Sequence, residues 1–536
     1  MGQVSRQSEH SFRRHWFLPI AFLTSVALAL FFGLYALDPA RDETPSSGLL
    51  RDYFSFDAER LTDAVASLAG IIAAVFGIVI TVVSIIVQLA ADRFAGVTRM
   101  FLRDRVTLGI ASFYIVACVC GVWLSVSMRG DHVPRVALAA MLVATTAGLV
   151  LMAPYFGYVF RFLDPVSIIE RIRRAAEERL RRVSEGKSPC PLSDAQARIV
   201  EALEELTDIT NNSVVGKDKL IAGGAVDALR DFALCYGERK ASLPDAWFAL
   251  GARLKGNPDV VAMAPESLAE LQVRCTWVEW KVLRQYLSIF NEALAHAKDI
   301  DYIVAINTRY IAEHALNRSD VDVLRLALRS MNSYLRAALN SRDVRTAYNV
   351  LNQYRLLVET MLHKGAGAHA REGVEYMVYY GHVSFDMNLS FVTETVAYDV
   401  AALCQVAYEC QGPDVEVLLA LLLDLDRPLT VKRQERALLG VRKAQVKLAA
   451  FFLAEGRREL AKRIAEDMAG EPLERLTMIR RSLERGWSKE FWEFTDRGTN
   501  FEYMVEAHRL RLGEFFEWLG EVPGACSSEA APHTSR

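Results

Sequence analysis

The chain has 536 residues, 52% hydrophobic and 24% charged, with a formal net charge of -3. That length holds a membrane domain and one or two soluble domains, and so small a charge excludes a global electrostatic case for nucleic acid as a partner. The long apolar runs all fall before about residue 160, and the remainder reads as an ordinary charged helical protein.

An amino-terminal tail over 1–15 carries Arg6, Arg13 and Arg14 and leads into an apolar run over 16–37, long enough to span a bilayer. Pro19 falls in the first turn, where its missing amide donor does least harm. A cleaved signal peptide is the rival reading, but the run is long for one and no A-x-A site follows. The polar segment 38–63 has seven acidic residues against three arginines.

The second run, 64–91, lies uncharged between Asp63 and Asp92. As a helix it reaches roughly 42 Å, more than the ~30 Å of the hydrocarbon core. Ala66, Gly70, Ala73, Gly77, Thr81, Ser84 and Gln88 share one narrow stripe of it, while Ile71, Val75, Ile78, Val82 and Ile85 lie off that stripe. Small, weakly polar residues in a row let another helix approach closely or line a neutral aqueous path. Both readings stand, and they coincide if the seam is an oligomer axis.

A short loop then gathers Arg93, Arg99, Arg103 and Arg105, with Phe94, Phe101 and Leu102 available to dip into the interface. The third run is 106–128. The fourth, 136–160, holds Pro154, expected to kink it, and the aromatics Tyr155, Phe156, Tyr158 and Phe160, suited to the headgroup boundary. Arginine gathers in the tail, in the 92–105 loop and after Phe160. The positive-inside rule therefore puts both termini in the cytosol, with four spans; two arginines in the 129–135 connection dissent. None of the four runs carries Asp, Glu, Lys, Arg or His, which disfavours a proton- or metal-coupled transporter.

Residues 161–187 read as a basic amphipathic juxtamembrane helix with Arg171, Arg173, Arg174, Arg179, Arg181 and Arg182. It either binds anionic headgroups, together with the 92–105 arginines, or is a solvated connector, since Glu170, Glu177, Glu178 and Glu185 dilute its charge. A Gly/Pro linker over 184–193 opens a cytosolic helical domain, 193–522. Ser193-Asp194 is placed to cap a helix over 195–210 with Ile199, Leu203 and Leu206 on one face. The stretch 237–265 is looser. From Leu271 onward amphipathic helices alternate with breaks at Asn317-Arg318, Asn340-Ser341, Gly365–Gly367, Gly412-Pro413, Gly456 and Gly470–Pro472. The tail 523–536 has a disordered composition. The fold class is thus all-α: a four-helix transmembrane domain and a large helical domain, an irregular bundle being favoured over an α-solenoid. One segment (Ala449, Phe452, Gly456, Ala461) resembles a degenerate tetratricopeptide unit, with no 34-residue period elsewhere.

No catalytic, cofactor or metal constellation can be assembled, so an enzyme is the third reading. The glycine-rich stretch 364–369 follows a helix rather than a strand and reads as a turn, and His363 and His369 beside it lack a third ligand. Glu279, Glu292, Glu313, His296 and His314 occur singly, and the aromatics Tyr376, Tyr379, Tyr380, Phe385 and Phe391 read as core. None of the eight cysteines forms a CxxC pair: Cys118 and Cys120 read as small packing residues inside an apolar helix, and the other six lack disulfide or metal spacing, as in a reduced cytosolic region.

The helix end Ile80-Thr81-Val82-Val83-Ser84-Ile85-Ile86-Val87-Gln88-Leu89-Ala90, then Phe94 and Phe101-Leu102-Arg103-Asp104-Arg105, resembles a bacterial family of predicted integral membrane proteins, catalogued as a domain of unknown function. The resemblance covers about residues 16–160 and implies a long second helix, a short basic loop and a large soluble carboxy-terminal part. Where Ser-Pro is expected after the aromatic, this chain has Ala95-Gly96-Val97. The expected partners are the lipid bilayer, further copies of the chain and a cytosolic protein. The first function reading is an anchored helical platform, the second an oligomeric neutral pore.

Overall fold

The computed structural model describes residues 24–26, 29–30, 58–91, 97–127, 134–490 and 496–520. The chain divides into two compact units, Met1–Arg171 and Ile172–Arg536. The expected 1–15 and 523–536 tails lie outside the described residues. So does most of the first apolar run, of which 24–26 and 29–30 are helical.

In the first unit α1 (Ala58–Ala91), α2 (Val97–Leu102), α3 (Arg105–Ser127) and α4 (Arg135–Phe162) are helices. Three stretches of them are long and apolar enough to cross a membrane: Asp63–Ala91, Arg105–Ser127 and Val136–Phe162. Three of the four expected spans are therefore accounted for among the described residues. Helix α1 packs on both α3 and α4. Its buried face is Val65, Ile72, Val75, Val79, Val83 and Val87, spaced by three, four or seven as one side of a helix requires. A helix already holds these β-branched side chains to one preferred χ1 rotamer, so packing them costs little beyond what helix formation has taken. Tyr114 of α3 stacks on Phe76 with centroids 5.5 Å apart and donates its hydroxyl to the Gly148 carbonyl of α4 at 2.7 Å.

Two local expectations are corrected here. Phe101 does not dip outward: it is buried and meets Phe162 edge-on at 5.4 Å, because α2 folds back beside the end of α4. Nor is 161–187 one helix. Helix α4 continues past Pro154 to Phe162, and α5 (Pro165–Ser184) starts anew with proline in its first position. Asp164 accepts the Ser167 amide at 3.0 Å at that start.

The second unit continues with α6 (Leu192–Val215), α7 (Lys219–Arg239), the short α8 (Ala252–Lys255), α9 (Pro258–Val261) and α10 (Pro265–Val273), and α11 (Trp277–His296). Then follow α12 (Lys298–Asn317), α13 (Val321–Asn340), α14 (Val344–His363), α15 (Gly367–Asp386) and α16 (Ser390–Glu409), five helices of 20 residues each. After them come α17 (Val415–Leu423), α18 (Glu435–Ala454), α19 (Arg458–Asp467), α20 (Leu473–Arg485), α21 (Glu506–Arg509) and α22 (Leu512–Trp518). Helix α6 begins at Leu192, ahead of the expected Ser193-Asp194 cap, and Asp194 instead pairs with Arg253 at 2.7 Å. Ile199, Leu203 and Leu206 are buried as expected.

From α11 to α16 each helix packs on the next and on the next but one. One row is α6, α11, α13, α15, α17 and α19, the other α7, α12, α14, α16 and α18. This is a two-layered stack of helical hairpins, and the favoured irregular bundle is corrected to an α-solenoid. The reason lies in the linkers. From α12 to α16 each helix starts 23 residues after the last and the connection is three residues long. The middle linker residue takes a left-handed conformation (Ser319 φ 57, Arg342 φ 53, Gly365 φ 70, Asn388 φ 59). The amide after it closes back onto the preceding helix, as in Asp343 N–H to the Ala338 carbonyl at 2.9 Å. At three linkers that closing residue is an aspartate whose carboxylate also caps the next helix: Asp218 to Ile221, Asp320 to Val323 and Asp343 to Thr346. Repeated identical corners produce a regular stack. The tetratricopeptide-like residues form the hairpin α18–α19, with Gly456 at φ 75 in its turn.

Candidate functional site

In the membrane unit the stripe Ala66, Gly70, Ala73, Gly77, Thr81, Ser84 and Gln88 is exposed at every position, off the valine face that packs on α3 and α4. A Cβ added at Gly70 or Gly77 would meet nothing within 4 Å. Thr81 returns its hydroxyl to the Gly77 carbonyl at 2.8 Å, within its own helix. The glycines that bring helices together inside this unit are others. A Cβ at Gly121 would stand 2.9 Å from Met141 and 3.1 Å from Ala69, and one at Gly148 would stand 3.2 Å from Tyr114. Among the described residues, the stripe packs against no helix of its own chain.

The arginines expected at lipid headgroups divide. Arg103 and Arg105 are exposed on either side of Asp104, whose carboxylate caps α3 through the Val106 and Thr107 amides at 3.0 Å. Arg93 lies outside the described residues, and Arg99 stands on α2. Arg171 is turned inward: it donates to the Phe162 carbonyl at 2.8 Å, its guanidinium 3.7 Å from that ring's centre. Arg173 pairs with Glu177 at 2.5 Å, and Arg181 and Arg182 both hold Glu178, at 2.7 and 2.9 Å. Those two guanidiniums hold the Glu178 carboxyl down at about 2. Arg174 is exposed. Much of the α5 charge is thus neutralised along its own helix.

In the helical unit Glu279 is a buried core residue rather than a surface one. Lys240 reaches it at 2.9 Å and Asp320 at 2.7 Å; burial pushes Glu279 up while that ammonium holds it down. Glu313 pairs with Arg309 at 2.5 Å, and His296 lies 3.3 Å from Glu292. Burial pulls His314 below its ordinary value. His363 lies 3.3 Å from the Cys410 sulfur and His369 3.8 Å from Glu372. No group of three or more metal-ligating side chains exists among the described residues. Tyr380 and Phe385 are core, whereas Tyr379 and Phe391 are exposed.

Sequence reasoning missed a buried polar ladder. Asn307, Gln353, Asp399 and Gln445 stand 46 residues apart, all buried in the α12, α14, α16, α18 row. An arginine reaches each: Arg230 to Asn307 at 2.7 Å, Arg309 to Gln353 at 2.9 Å, Arg497 to Asp399 at 2.7 Å and Arg442 to Gln445 at 2.8 Å. From Asn307 to Asp399 two helices of 20 residues and two three-residue linkers make each 46-residue step. The step to Gln445 passes instead through α17, of nine residues, and longer connections; a 34-residue period does not fit it. Arg497 belongs to the non-helical residues 496–505 ahead of α21, which no periodicity announces.

Three apolar helices of spanning length joined in one chain to a two-layered hairpin stack define the class: a membrane protein with a large helical-repeat domain. Residues 13–214 match the family described as Predicted membrane protein (DUF2254). The resemblance drawn from the Ile80–Arg105 stretch is therefore shown, and it extends past the spans into α6. No curated protein matches the chain. Among solved structures, one described as "Circular tandem repeat protein with novel repeat topology and enhanced subunit contact surfaces" is similar at 15% identity over 86% of this chain and 96% of that one. Its TM-score of 0.25 carries no argument about this protein.

Proposed function

We propose that the chain is an inner-membrane platform: residues 16–37 add a fourth span, both termini are cytosolic, and the hairpin stack offers a protein partner an extended surface. The observation behind this reading is the stack itself, whose repeated rows present long faces of the kind solenoids use for binding. Exposed Arg103 and Arg105 suit anionic headgroups at the same side of the bilayer. A photo-crosslinking residue placed at Tyr310 on one row and Tyr379 on the other, both exposed, tests the platform in living cells. The expected result is one protein species trapped from one row only. Equal labelling of many proteins from both rows, or of none, removes the reading. Protease should reach a tag at Arg536 from the cytosolic side alone.

A second reading is favoured by the exposed stripe of α1. Several copies placing Gly70–Gln88 around an axis would enclose a neutral path in which Thr81, Ser84 and Gln88 face water. Planar-bilayer recording of purified protein tests it: steady conductance under voltage or tension supports a pore, and silence under both removes it.

A further inference from the structure

Where the non-helical stretch 496–503 crosses α14, α16 and α18 it encloses a cavity of about 470 Å³, within the range that holds a metabolite. Its wall is pinned at both ends. Asp496 accepts from Arg345 and Asn349, each at 2.9 Å, and Glu502 takes Lys443 at 2.5 Å. Between them Phe501 stacks on Tyr398 with centroids 4.8 Å apart. Lys489 and Thr499 are exposed at the rim.

The charges along the wall do not all cancel. Asp399 and Arg497 neutralise each other, and the Arg497 guanidinium lies 4.1 Å from the centre of the Tyr348 ring. Arg355 leans chiefly on Glu359 at 2.7 Å. Lys447 is different. Its ammonium donates to the neutral Phe501 carbonyl at 2.9 Å and lies 5.7 Å from the Tyr398 ring centre, with no carboxylate within 4 Å among the described residues. Lys443, one turn earlier on α18, has two, Glu394 and Glu502. Burial accordingly pulls Lys447 down to about 8, with Glu502 opposing. Three buried polar atoms of the same wall also lack a partner among the described residues: the Tyr398 hydroxyl, the Arg497 Nε and one Asp399 oxygen. Leaving an ammonium and hydrogen-bonding atoms so poorly matched costs free energy that a complementary ligand would recover.

We propose that this cavity is a binding site for a small oxyanion, a phosphate- or carboxylate-bearing metabolite, with Lys447 pairing its charge and the Tyr398 hydroxyl donating to it. The unpartnered Asp399 oxygen would accept from a hydroxyl or amine elsewhere on the same molecule. The site is independent of the platform reading, because it needs only the folded helical unit.

Calorimetric titration of the full chain in detergent with inorganic phosphate, pyrophosphate and citrate tests it. At least one should bind saturably. Lys447→Met, which keeps the apolar stem, should weaken that binding by about tenfold or more, as loss of a charge-assisted bond does. Tyr398→Phe, which removes only the hydroxyl, should weaken it by a few-fold, and Lys432→Met, which does not line the cavity, should leave it unchanged. Binding of the two phosphates alone assigns a phosphate ligand, and binding of citrate alone a carboxylate. Should Lys447→Met fail to fold, Tyr398→Phe decides. The proposal is overturned if none of the three anions saturates below roughly 10 mM, or if the variants bind as the wild type does.

Discussion

Asp301 shows how a single carboxyl sets the pH response of this fold. It is fully buried in the first turn of α12, and burial, with the Asp343 charge next in weight, pushes it up to about 8. Lys298 opposes that shift but is engaged by Asp343 at 2.7 Å, and Asp299 adds to it. The folded chain therefore keeps the Asp301 proton until about pH 8, whereas the unfolded chain releases it near 4. Folding stability attached to this group falls as pH climbs through that window. Asp343, held low chiefly by Lys298 against its own burial, has the opposite sign and loses its contribution only in acid. Asp301→Asn should raise the melting temperature at pH 8, by the equivalent of about 1–3 kcal/mol, with a smaller gain at pH 5. Thermal melts across pH check it; an equal gain at both ends would rule the explanation out. A second residue-scale test is Gln353→Leu in the ladder. Gln353 accepts from Arg309 at 2.9 Å and donates to Tyr302 at 3.1 Å, so the variant should cost about 1–3 kcal/mol in denaturant titration. Neither residue was legible in the sequence as anything but one polar position on an amphipathic helix. Burial depends on which helix lies opposite, and that is set 44 to 46 residues away.

Helices were the more readable scale, because their ends are fixed locally. Breaks at Asn317-Arg318, Asn340-Ser341, Gly365–Gly367 and Gly456 were expected from asparagine and glycine, and the linkers fall there. The linker at Met387-Asn388-Leu389 passed unnoticed: without glycine or proline, it relies on Asn388 to take φ 59, a conformation asparagine tolerates better than most. The start of α5 was missed although Asp164-Pro165 carries a start signal, because arginine-rich amphipathic spacing on both sides hid it. Left-handed corners occupied by other side chains store strain that glycine would release. Arg342 sits in such a corner at φ 53 and is exposed. Arg342→Gly should therefore stabilise the helical unit by about 0.5–1 kcal/mol, seen as a higher denaturation midpoint. A lower midpoint would mean that the arginine side chain makes a contact worth more than the corner costs.

At the scale of the molecule, the membrane unit poses a question of which side of one helix faces what. The seven-residue stripe was legible from spacing alone, but its orientation was not, since small residues favour close approach to a helix of the same chain and of another chain alike. Inside the unit that job falls to Gly121 and Gly148, which a sequence reader has no reason to prefer over Gly70 and Gly77. The two pairs make separable predictions. Gly121→Leu drives a side chain into Ala69 and Met141 and should lower the thermal stability of the detergent-solubilised chain, by about 1–3 kcal/mol or more. A Cβ at position 77 would meet nothing within 4 Å among the described residues, so Gly77→Leu should leave that melt unchanged. If copies assemble through the stripe, Gly77→Leu should instead shift the mass measured by native mass spectrometry or light scattering toward the monomer. An unchanged melt with an unchanged mass would leave α1 facing lipid along that side. The neutral pore would then lose its wall, whereas an anchored platform needs no second copy and would stand.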